Sequence, residues 1–93
     1  MHARVVRFTD VSADRVAEIA ATAESQGPPP GVDSSGLELL YDESEGTAVF
    51  VAYFDNKEKM AAASEVLENM DASETPGTRA SVDVCEVKVQ RRL

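Results

Sequence analysis

Residues Thr47 to Phe54 read T-A-V-F-V-A-Y-F, a strand-like run with no polar side chain after its first position. Successive side chains of a strand point to opposite faces. One face carries Val49, Val51 and Tyr53, and the other carries Ala48, Phe50, Ala52 and Phe54. A strand that is apolar on both sides predicts cover on both sides.

The rest of the chain supplies five further elements. Ala3 to Phe8 is short and rich in β-branched residues, which predicts a first strand. Val16, Ile19, Ala20 and Ala23 then recur at the spacing of one helix face, with Ser12 as a cap and Asp14 in the first turn. The helix is expected to stop near Gln26, because Gly27-Pro28-Pro29-Pro30-Gly31 cannot continue it. Leu37, Leu39 and Tyr41 alternate along a second strand, and Asp42 to Gly46 reads as a hairpin loop into Thr47–Phe54. Asp55 with Glu58 resembles a capping box for a second helix, whose face carries Met60, Ala63, Leu67 and Met70. Asp71 to Gly77 is a predicted loop. The last strand, about Ala80 to Gln90, carries Val82 and Val84 on one parity and Val87 and Val89 on the other. That irregularity predicts either burial of both faces or a β-bulge near Cys85-Glu86.

The order strand, helix, strand, strand, helix, strand is a ferredoxin-like βαββαβ arrangement of the α+β class. An antiparallel sheet would carry both helices on one face. Residues 1–93 suit a single domain, and about 26 residues before the proline run are too few for a core of their own. Two helices cover one side of a small sheet. The other side therefore predicts a homodimer formed through the sheet.

Composition narrows the partners. Seventeen acidic and nine basic residues give a formal charge of −8, which repels phosphate backbones and anionic membranes. Nucleic acid and membrane are accordingly not expected as partners. The cationic residues Arg4, Arg7, Lys88, Arg91 and Arg92 lie on the first and last strand-like segments, with Asp83 and Glu86 as expected local partners. Cys85 is the single cysteine, so no disulfide closes within the chain and no multi-cysteine zinc site exists. Its acidic neighbour Glu86 opposes a thiolate, and a buried small hydrophobe is the simpler expectation. No signal-peptide pattern or membrane-length apolar run is present, so the expected location is the cytoplasm.

At the level of motifs the chain resembles a known group. The P-G-V-x-x-x-G-L stretch (Pro30 to Leu37), the acidic hairpin Y-D-E-S-E-G (Tyr41 to Gly46), the V-x-x-F-D segment before a helix and the closing V-D-V-C-E-V resemble the dimeric α/β-barrel superfamily. Within it, the small antibiotic-biosynthesis-monooxygenase-like (ABM-like) domains are the most similar. The resemblance implies a homodimer whose sheet faces pack into a barrel, with a pocket between each sheet and its own helices. It also implies relatives that include cofactor-independent quinol-type monooxygenases, haem-degrading enzymes and isomerases. The oxygenases of that group use an Asn, a Trp and a His. This chain has no Trp, its only His is His2, and Phe54-Asp55 stands where relatives often have Trp-Glu. No catalytic residue carries over.

The side chains best suited to a pocket for a flat apolar ligand are Tyr41, Tyr53 and Phe54, with Arg7 as a mid-strand polar anchor and Asn56 beside them. His2 lacks a second ligand residue nearby and is expected to face solvent. The acidic clusters form no calcium-loop pattern, and no phosphate-binding or nucleophile-elbow motif occurs. No metal or cofactor is expected. The reading that results is a small-ligand-binding or interaction module without a legible catalytic set. The alternative is a cofactor-independent monooxygenase or isomerase acting on a small aromatic or quinol-type molecule.

Overall fold

A computed structural model describes residues 1–69 and 76–93 of the chain. The element order is β1 (His2–Thr9), α1 (Ala13–Gln26), β2 (Gly36–Asp42), β3 (Thr47–Phe54), α2 (Lys57–Glu68) and β4 (Thr78–Glu86). The strands form one sheet in the order β2-β3-β1-β4, antiparallel at every pairing. This small α+β domain is compatible with a ferredoxin-like fold. Among the described residues no helix is long and apolar enough to cross a membrane. Met70 and most of the predicted loop from Asp71 lie outside the described residues.

Local chemistry sets the element ends. The Ser12 hydroxyl accepts the Arg15 N–H at 3.2 Å and caps α1. The helix stops as the sequence predicts, at Gln26. Gly27 takes φ 70° and donates its N–H to the Ala23 carbonyl at 3.1 Å, and three prolines follow. The cap of α2 is Asn56, one residue later than the predicted Asp55. Its side chain accepts the Lys59 N–H at 2.8 Å, while Asp55 reaches forward to the Lys59 ammonium at 3.6 Å. An amide oxygen one position on takes the corresponding free donor one residue later, so the capping-box pattern places the start within a residue.

Strand parity sorts the side chains. Arg4, Val6 and Phe8 of β1 share a face with Ala48, Phe50, Ala52 and Phe54 of β3 and with Leu37, Leu39 and Tyr41 of β2. This face meets the helices. Val6, Phe8, Val11 and Ala48 form one buried cluster, on which Val16, Leu39, Tyr41 and Phe50 pack. Phe54, Met60 and Ala63 form a second, which joins β3 to α2. The opposite face carries Val5, Arg7, Val49, Val51, Tyr53, Glu38, Leu40, Asp83 and Cys85.

The edge strand β4 departs from the sequence reading. It ends at Glu86, so Val87 and Val89 follow it, and all nine of its residues are exposed. The register shift falls opposite Arg7/Phe8, where Ala80 is passed over, and not near Cys85-Glu86. Cys85 is exposed, not buried, because an outer strand has no neighbour on one side and no helix on that face. His2 is also placed differently. It sits in β1 opposite Phe54 and Glu86, half-buried, with Nδ1 enclosed and without a hydrogen-bond partner among the described residues.

One glycine is required by close approach. A Cβ at Gly77 would collide with the Thr9 carbonyl oxygen and stand 3.2 Å from that of Asp10. Gly77→Ala should therefore cost about 1–3 kcal/mol, the range for forced overpacking. Phe54 is fully buried. Phe54→Ala should cost about 3–5 kcal/mol and lower the melting temperature by roughly 12 °C or more. Thermal unfolding followed by circular dichroism checks both; melting within a few degrees of wild type for Phe54→Ala would contradict this packing.

Candidate functional site

The two helices do not cover the sheet equally. α2 buries Met60 and Ala63 against it, whereas no residue of α1 is buried. Between α1 and the sheet lies a cavity of about 740 Å3. Val6, Phe8, Phe50 and Ala52 of the sheet line it from one side, and Ile19 and Ala23 of α1 from the other. Pro28, Pro29 and Pro30 of the connector close one wall. The volume is within the range of small-molecule sites, about 300–1,000 Å3.

Arg4, Leu67 and Arg79 also line this space. Arg4 is only 6% exposed. A buried guanidinium is costly unless an anion answers it. Glu68, the last residue of α2, does so with Arg4 Nη2 to Oε1 at 3.1 Å. The other carboxylate oxygen takes Arg79 Nη1 of β4 at 2.9 Å. One carboxylate thus joins the central strand, the end of α2 and the edge strand. The Arg79 hydrogen bond, and then Arg4, hold the Glu68 carboxyl below its ordinary range against the opposing pull of desolvation. Arg4 Nε is enclosed and has no hydrogen-bond partner among the described residues.

The five residues expected to form a pocket do not converge. Tyr41 is on the helix-side face, but its hydroxyl donates to the Val11 carbonyl at 3.0 Å and fastens the β1–α1 turn. Tyr53 is on the opposite face, where its hydroxyl donates to Glu38 Oε1 at 2.9 Å. That bond to a carboxylate raises the phenol above its usual value. Phe54 belongs to the core under α2, and Asn56 is the α2 cap. Arg7 is exposed on the open face; its field acts on Asp42, and Glu86 pairs with Lys88 at 3.1 Å. None of the five lines the large cavity.

Arg4 was the legible signal. It shares parity with Val6 and Phe8, so any regular strand that buries those two buries Arg4 with them. Arg7 shares parity with Val5 and takes the other face. Arg79 and Glu68 join the site only through the register of β4 and the length of α2.

The second ion cluster is structural. Lys59 Nζ reaches Asp33 at 3.0 Å and ties the connector to α2, and Asp33 raises the Lys59 ammonium above its usual value. Among the described residues no group of three or more His, Cys, Asp or Glu gathers to hold a metal ion.

The depressed Glu68 carboxyl makes stability depend on pH. A folded pKa below the unfolded value of about 4.5 stabilises the fold above that value, and the gain is lost as pH falls through the folded pKa. Urea unfolding should therefore show wild-type stability declining below about pH 4.5. Glu68→Gln should be less stable at neutral pH, and its decline in acid should be shallower. Parallel wild-type and Glu68→Gln curves between pH 7 and 3 would remove the ion network from the account.

Compared with known proteins, the chain matches no family model and no curated sequence.

Proposed function

We propose that this chain is a small-ligand-binding module that holds an apolar molecule between α1 and the sheet and pairs with a second copy through the open sheet face. The observation that carries the reading is the cavity itself. A helix with an apolar stripe ordinarily buries that stripe. Here Ile19 and Ala23 face a space of about 740 Å3. The walls are mainly aliphatic, aromatic and prolyl, as in sites that take flat or acyl ligands.

Pairing follows from the other face. Val5, Val49, Val51 and Leu40 lie there with no helix over them, and Leu40 is 51% exposed. A four-stranded face about eight residues long spans roughly 500 Å2 in projection. That is of the order of the ~800 Å2 of accessible surface each partner contributes to a stable interface. The motif resemblance to the dimeric α/β-barrel superfamily supports the same arrangement.

Titration with N-phenyl-naphthylamine, a neutral dye that brightens in apolar surroundings, tests the cavity. The dye should bind the folded protein in the micromolar range. Ala23→Trp, which fills the space from the α1 side, should weaken binding at least about tenfold. A folded protein that leaves the dye dark, or a variant that binds it equally, would overturn the ligand reading. Light scattering tests the pairing. The wild type should give about twice the 10.0 kDa of one chain. Val51→Asp, on the open face, should give one chain that remains folded.

A further inference from the structure

Resting on that reading, we infer that the ligand is an acid, an apolar body carrying one carboxylate that is received by Arg4. Among the described residues, three arginines (Arg4, Arg15 and Arg79) and one carboxylate (Glu18) line the cavity of a chain whose formal charge is −8. The positive side chains are concentrated where the protein as a whole is negative. Arg15 and Glu18 pair with each other at 3.0 Å on α1. The excess therefore lies at the Arg4–Arg79 side.

Arg4 is built to receive an anion. Its side chain is 7% exposed, and a guanidinium carries five N–H donors. Among the described residues Arg4 makes one hydrogen bond, to Glu68, and Nε is enclosed without an acceptor. Nε itself is closed off, so the donors an oxygen anion in the cavity would meet are the Nη N–H groups that Glu68 leaves. A planar carboxylate matches the guanidinium fork, which offers parallel donors to two oxygens. Glu68 does not use up that capacity. It shares its two oxygens between two arginines, so the three groups together remain singly positive.

The apolar body is set by the rest of the lining. Val6, Phe8, Phe50 and Ala52 offer no donor from their side chains, and the prolines offer none from side chain or backbone. A ligand charged at one end and apolar elsewhere satisfies both regions. A neutral ligand leaves the Arg4 charge unanswered from the cavity side, and a highly polar anion leaves the apolar walls unused.

Calorimetric titration of the wild type with naphthoate and naphthamide, and with decanoate and decanamide, separates the outcomes. Each pair shares its body and differs in charge. An acid should bind at least about tenfold tighter than its own amide in one or both pairs. That preference should shrink toward unity in Arg4→Met. Arg79→Met, at a half-exposed position, should also reduce it, with the fold of the variant checked by circular dichroism. The wild-type ratio needs no variant. Acid and amide binding equally in both pairs would overturn the inference while leaving the cavity a ligand site. No binding of any of the four, with the neutral dye also dark, would remove the ligand reading itself.

Discussion

A guanidinium buried beside the core of a small domain restricts everything near it. Arg4 sits on a central strand, two residues from Val6. Its charge must be answered from within reach, and Glu68 answers it. This fixes where α2 must end relative to β1. The second oxygen of Glu68 holds Arg79 and so anchors an edge strand whose residues are all exposed. Exposed ion pairs contribute little to stability. This one matters because one member has left water.

The same side chain explains why the space under α1 is not simply a packing fault. Empty cavities in proteins cost stability, and well-packed interiors hold few of them. This space has an apolar floor, a rigid wall, the Arg4–Arg79 charges at one place and the Arg15–Glu18 pair of α1 at another. α1 is held at its beginning by Val16 on the first core cluster, and beyond its end the connector is tied to α2 through Lys59 and Asp33. The helix is thus supported near both ends while its middle stands over the cavity.

Much of the fold was legible in the sequence because local rules agreed with each other. Ser12, the proline run, the acidic hairpin and the two helix stripes each placed an element or its end, and β3 kept the bounds Thr47–Phe54. The errors have a common cause. The shift near Ala80, the early end of β4 and the exposure of Cys85 all depend on which strand lies beside which, and composition does not encode sheet order. The site was harder for the same reason. Tyr41 and Tyr53 are on neighbouring strands but opposite faces, since antiparallel pairing sets Tyr41 against Ala48 and Tyr53 against Gly36. Arg4 could have been found from parity alone, whereas Glu68 and Arg79 required the fold.

The run Pro28-Pro29-Pro30 has an effect beyond ending a helix. Three consecutive rings fix three φ angles, so this wall keeps little conformational freedom in the folded chain. The entropy that a freely rotating loop would keep is given up here when the chain folds. Whatever packs against such a surface meets a shape that does not rearrange.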